Sequence, residues 1–273
     1  MDAATIVKRV RALSGVTRKE LAELAGLSPS TIGRIEHGAL DPTWGTLSRI
    51  LEATGYWISG DTVVSTGDQT AIIAARPVLE SLLASSIAAI APASTSMNAT
   101  TRDISRSVVD EWLGRWARAG WLSDRADVDD VVSVAVSAGN AGKIARRNVA
   151  RRNVVAPDGW RALARRLEEA GIDYAVSGLV AARPDRATAR AVSPVIYVTD
   201  PVLAVASLGL EETAPGRGAL LIAPGEDELT RVEIDGGIRF VSRAQGVLDG
   251  FAGSGREPDK AEDTLRSLLA VPA

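Results

Sequence analysis

The chain contains no cysteine and a single histidine, His37. The first absence excludes disulfides, thiol catalysis and cysteine-ligated metal, and the second excludes a histidine-rich metal site. Phenylalanine and tyrosine are scarce, at two and three residues, so alanine, valine and leucine must build most of the core; six tryptophans supply much of its aromatic bulk. No run reaches the roughly 18–20 uncharged apolar residues of a membrane span. Residues 82–93 come closest, but they are short and alanine-rich. The opening does not read as a signal peptide, because Lys8, Arg9 and Arg11 alternate with apolar residues instead of preceding a long apolar run. The expectation is a soluble cytoplasmic chain with no membrane partner, no metal and no cofactor.

A large charge of either sign is also missing, since the formal net charge is −3. Net charge hides distribution, however. Between Lys143 and Arg166 lie Lys143, Arg146, Arg147, Arg151, Arg152, Arg161, Arg165 and Arg166, against Asp158 alone, whereas the part from Glu211 onward is acidic. A basic centre beside an acidic end suits a chain that meets nucleic acid with some faces and something else with others.

What is present is helical signal first. At 273 residues the chain suggests about two domains. AATIVKRVRAL places Ile6, Val7, Val10 and Leu13 on one stripe, which predicts a helix stopped by Gly15. Thr17 with Glu20 makes a capping box for a short helix ended at Gly26. Ser28 caps the next helix, with Pro29 in its first turn, and that helix runs to about His37. TWGTLSRILEATG gives a further helix up to Gly55. Residues 56–70 read as a linker, residues 71–91 as a helix with an interruption expected at Pro77, and APASTSMNATT as a second loose segment. Residues 104–119 show helical spacing, as does the strongly amphipathic stretch 158–170. ARRNV at 145–149 recurs at 150–154, a five-residue duplication that matches neither helix nor strand. Strands are expected at 195–199, 218–223, 229–234 and 238–242, with Asp235-Gly236-Gly237 as a hairpin turn, and closing helices follow.

Residues 17–38 have the makings of a helix-turn-helix. Ala22 packs against the second helix, Gly26 sits in the turn, Leu27 plugs the core, and Ile32 and Ile35 face inward. The remaining face carries Ser28, Ser30, Thr31, Arg34 and His37. Arg34 can reach guanine O6 and N7 with two hydrogen bonds, and Ser30 and Thr31 can touch base edges or thymine methyls. Ser28, Pro29 and the first-turn amides suit a phosphate at the helix N-terminus. A helical bundle without a DNA role shares the apolar pattern but leaves the polar outward face unexplained. The basic residues Lys143, Arg146, Arg147, Arg151 and Arg152 read either as a solvated loop or as a second contact to DNA phosphates.

T-R-K-E-L-A, Gly26, S-P-S-T-I-G-R-I-E-H-G and Pro42 closely resemble the Cro/CI-type regulators that recognise xenobiotic-response elements, over about residues 5–58. The resemblance implies a double-stranded DNA operator, contacts from Thr17 and Arg18 at the start of the first motif helix, and an ion pair between Arg11 and Glu36. Two departures from the family pattern stand out. Arg18 replaces a glutamine, which shifts sequence preference, and Gly33 replaces a serine, which weakens the helix slightly. A homodimer is expected, because one short recognition helix reads too few base pairs.

From Trp160 onward, WRALARRLEEAGIDYAVSGLVAA, VSPVIYVTDP and GGIRFVSRAQGVLDGFAGSGREPDKAEDTLRSLL resemble AbiEi-type antitoxins of type IV toxin–antitoxin systems. That resemblance implies an autorepressor encoded beside a nucleotidyltransferase-like toxin. A regulator with a ligand-sensing α+β domain would look the same at this level. An enzyme is not expected. Asp127, Asp129 and Asp130 lack the Gly-Ser turn that metal-dependent nucleotidyl transfer would need upstream, and they suit a helix N-terminus instead. The expected architecture is multidomain: an all-α helix-turn-helix unit over 1–60, a linker and helical connector over 61–103, a helical or winged-helix-like segment with the basic stretch over 104–155, and an α+β AbiEi-like unit over 156–273.

Overall fold

The computed structural model describes residues 2–87, 103–183, 185–186, 194–225, 228–229 and 231–270. Four helices open the chain: α1 (Ala3–Ser14), α2 (Arg18–Ala25), α3 (Pro29–Glu36) and α4 (Trp44–Ala53). Each begins where a short polar side chain, from Asp2, Thr17, Ser28 and Thr43 in turn, accepts a first-turn backbone N–H. Ile6, Val7, Val10, Leu21, Leu24, Ile32, Ile35 and Ile50 fill the space between them.

The expected linker at 56–70 is instead a β-hairpin, β1 (Tyr56–Ser59) with β2 (Thr62–Ser65), paired antiparallel. Tyr56 and Val63 are buried, and the Ser65 hydroxyl donates to the carbonyl of Asn140 at 2.6 Å. The Gly/Ser/Thr content marks the turn and its exit, while the alternating Y-W-I and T-V-V residues make the strands. Helix α5 (Gln69–Ile87) runs through Pro77 without the expected interruption. A mid-helix proline costs about 3 kcal/mol, and burial of Ala71, Ile72, Ala74, Ala75, Leu79 and Leu83 outweighs it. The loose segment expected at 91–101 lies outside the described residues.

Helices α6 (Asp103–Arg118) and α7 (Val128–Ala141) follow, with Trp112 and Trp116 buried in α6. Asp127 caps α7 in a box with Asp130, which is the helix-terminal role expected for the acidic triplet. A winged helix does not form over 104–155. Past a single 3-10 turn (Ile144–Arg146), the second ARRNV copy becomes β3 (Arg151–Val154), which joins a six-stranded sheet rather than a local wing.

That sheet is completed by β4 (Tyr174–Ser177), β5 (Val195–Val198), β6 (Ala219–Ile222), β7 (Glu233–Asp235) and β8 (Ile238–Phe240), in the order β3-β6-β5-β4-β8-β7. It is mixed: β5 runs parallel to β6 and β4 to β8, and the other three pairings are antiparallel. Every residue of β4 and β5 is buried, as central strands covered on both faces require. Helices α8 (Gly159–Glu169) and α10 (Pro201–Leu208) pack together against the sheet, as do α9 (Leu179–Ala182) and α11 (Arg243–Ala252). The closing helix α12 (Glu257–Ala270), α5 and α7 all pack on α11. The α+β part therefore takes in β3, α5 and α7, upstream of the boundary expected at 156. The strand expected at 229–234 is confined to its end, and the two-residue turn at Gly236-Gly237 closes the β7–β8 hairpin as expected.

Candidate nucleic-acid interface

Helices α2 and α3 are locked by local chemistry. Thr17 accepts the Glu20 amide at 3.2 Å while Glu20 accepts the Thr17 amide at 2.7 Å. Gly26 closes α2 at φ 64°, a left-handed conformation that glycine adopts without steric cost and that turns the chain into α3. Ser28 then accepts the Thr31 amide at 3.0 Å, and its hydroxyl lies 2.8 Å from that of Thr31. Pro29 occupies the first position of α3, where the missing N–H costs nothing.

The inward face of α3 buries Ile32, Ile35 and Glu36. The opposite face leaves Ser28, Pro29, Ser30, Arg34 and His37 exposed and Thr31 half-buried, so the structure brings these candidates together on one surface. Thr17 is exposed at the start of α2. No carboxylate among the described residues pairs with Arg34. His37 is the C-terminal cap of α3, with Nδ1 2.6 Å from the carbonyl of Gly33.

Glu36 is only 1% exposed and holds two cations, Arg11 at 2.6 Å and Arg18 at 2.8 Å. The Arg11–Glu36 pair is as expected, and the second partner is not. Arg18 uses Nε and Nη2 on the Glu36 carboxylate, while its side chain stays 45% exposed. Arg18 therefore also clamps Glu36, from the exposed start of α2 where its DNA contact is expected. The arginine lies across Gly33, with Cδ 3.5 Å from where a Cβ would stand. The two departures from the resembled pattern, Arg18 and Gly33, are therefore neighbours in space. Burial alone would raise the Glu36 pKa, but the hydrogen bonds from Arg11 and Arg18 outweigh it and hold the carboxyl below its ordinary range.

The five basic residues of the central segment do not form one outward face. Arg147 is wholly buried: its guanidinium donates to Asp249 at 2.8 Å, to the Tyr197 hydroxyl at 2.6 Å and to the Gly142 carbonyl at 3.0 Å. Its expected phosphate contact is corrected accordingly, since a DNA strand cannot reach it. Burial opposes its charge, but facing Tyr197 and Asp249 keep the guanidinium protonated, and burial pushes the Tyr197 hydroxyl well up. Lys143 is half-buried and donates to the carbonyls of Phe251 and Gly253; burial lowers its pKa. Arg151 donates to the Ile144 carbonyl, and Arg152 pairs loosely with Glu212 at 3.5 Å. Arg146 is exposed. Lys143, Arg146 and Arg151 line a cleft to which the chain adds Arg217 and Glu257 from distant turns. Sequence reasoning missed both, because only folding brings them beside the basic segment.

Residues 4–56 match the family model described as a helix-turn-helix domain. This helix-turn-helix domain supports the assignment of the chain as a DNA-binding regulator. No curated protein and no solved structure matches the chain. Among the described residues, no helix is long and apolar enough to cross a membrane, and no group of acidic or histidine side chains could hold a metal ion.

Proposed function

We propose that the chain is a sequence-specific transcriptional repressor of the Cro/CI type, binding a two-fold operator as a homodimer through α3. The observation that carries this reading is the division of α3. One side is fixed in the core by Ile32, Ile35 and the doubly paired Glu36, while the other presents Ser30, Thr31 and an Arg34 that no carboxylate among the described residues pairs with. A rigid helix with a polar outward face is what direct readout of base edges needs. The role is binding, with no reaction assigned to it. Selection from a random duplex library, followed by gel shift on the recovered sequence, tests it. A recovered site with two-fold symmetry, bound with a strong preference over random DNA, is the expected result. Recovery of no preferred sequence would overturn the reading.

The antitoxin role, with a nucleotidyltransferase-like toxin as partner, is a finer proposal. It rests on the likeness of residues 160–273 to AbiEi-type antitoxins, a part of the chain beyond the matched residues 4–56. Co-expression with a toxin encoded beside it, and rescue of growth, is its test. A ligand-responsive regulator is the second reading, and the cleft at the edge of the sheet favours it.

A further inference from the structure

Four cations, Lys143, Arg146, Arg151 and Arg217, and one carboxylate, Glu257, line a cleft of about 520 Å³. That volume falls within the range of small-molecule sites and their usual concave form. Among the described residues no carboxylate forms an ion pair with Arg146, Arg151 or Arg217. Lys143 gives two of its three donors to the Phe251 and Gly253 carbonyls, so one remains. The cleft also has an apolar share, from Ile144, Val195 and Leu220.

We propose that this cleft binds a small phosphorylated ligand of about nucleotide size. Three arginines and a lysine exceed what one carboxylate neutralises, and the planar guanidinium fork matches phosphate oxygens with two parallel hydrogen bonds. The apolar wall suits a base or another non-ionic portion, which a bare inorganic anion would leave uncovered. Duplex DNA fits less well. Its backbone needs cations on an open surface, whereas Lys143 and Arg151 are half-buried.

The location gives the ligand a lever. Ser65 lines the same cleft from β2, the hairpin that directly follows the helix-turn-helix domain, while Asn153 and Leu220 line it from β3 and β6 at the edge of the sheet. Occupancy would therefore bear on how the hairpin is held against the α+β part, and so on operator affinity. This regulatory half rests on the proposed function; the binding half does not.

The test uses the full chain with three probes: pyrophosphate, ADP and adenosine. Calorimetric titration and thermal melting should show saturable binding of both anions with a raised Tm, and neither effect for adenosine. Losing one charge-assisted hydrogen bond costs about tenfold or more in affinity, so Arg146→Ala combined with Arg217→Ala should weaken ADP by at least that factor. Both side chains are exposed, so the variant without ligand should melt like wild type. The proposal is overturned if neither anion binds saturably, if adenosine binds as tightly as ADP, or if the double variant binds ADP like wild type. Random duplex displacing ADP, with the double variant losing DNA affinity in parallel, would instead make the cleft a nucleic-acid contact. No DNA enters the anion titration, so failure of operator recognition and failure of this site remain distinguishable.

Discussion

Arg147 and Asp249 form an ion pair at 2.8 Å with both side chains wholly out of solvent. Tyr197 and Ser177 also donate to the same carboxylate, at 2.9 Å and 2.6 Å, which ties the residues before β3 to β4, β5 and α11. Removing one partner of a buried pair leaves the other charge uncompensated, at a cost of about 3–5 kcal/mol. Asp249→Ala should lose that much in chemical denaturation. Arg147→Met should lose a comparable amount, and the two losses should fall well short of adding in the double variant, because each single change already destroys the pair. Additive losses would mean that the two residues act independently.

Gly139 of α7 sits against Phe251 of α11 so closely that a Cβ would stand 2.4 Å from the phenylalanine Cβ and 2.7 Å from its carbonyl carbon. Its neighbour is partly backbone, which cannot swing aside. Gly139→Ala should therefore separate α7 from α11 and cost about 1–3 kcal/mol, the usual range for overpacking. The wild-type denaturation midpoint in this variant would show that the two helices are not held as tightly as described. DNA preference should persist, since α3 is untouched.

How far the sequence reveals this depends on the range of the interactions. Helices α1 to α4 are legible because their signals are local: the Thr17–Glu20 box, Gly26, and Ser28 followed by Pro29. The polar face of α3 follows from the same periodicity. The β1–β2 hairpin is obscured by Gly, Ser and Thr in its turn and exit, and β3 by R-R-N-V, an edge strand with little apolar alternation. The fate of Arg147 is not legible at all, since its carboxylate lies 102 residues away in sequence. The same holds for the cleft, where Arg217 and Glu257 arrive from other turns. A run of cations therefore reads as one surface even though folding sends its members to the core, to a cleft and to solvent.

Glu36 makes part of the stability depend on pH. Its folded pKa lies below the ordinary carboxylate range, and that of an unfolded glutamate is about 4.3. In the interval between the two values the unfolded chain binds more protons than the folded one, so stability rises with pH there. The contribution is complete above the unfolded pKa and is lost as pH falls through the folded one. Glu36→Gln should be less stable than wild type at neutral pH, and the gap should narrow progressively below about pH 4.3. A gap constant from pH 7 to pH 3 would show that the carboxylate charge is not what Arg11 and Arg18 stabilise.

Arg34 offers the sharpest test of base reading. It is exposed on α3, four residues beyond Ser30, and no carboxylate among the described residues holds it. Its removal should leave the fold intact, because Ile32, Ile35 and Glu36 carry the packing on the other side. A bidentate contact to a base is worth about 1–3 kcal/mol of discrimination. Arg34→Ala should therefore weaken the selected operator by about 5- to 150-fold and random DNA far less, since binding to random DNA depends on phosphates. Arg34→Lys keeps the charge and loses the fork, so it should recover random binding but not operator preference. Gel shifts of the three proteins on both DNAs, at several salt concentrations, separate these effects. If lysine restored preference in full, Arg34 would be acting as a point charge on a phosphate, and base reading would have to come from Ser30 and Thr31.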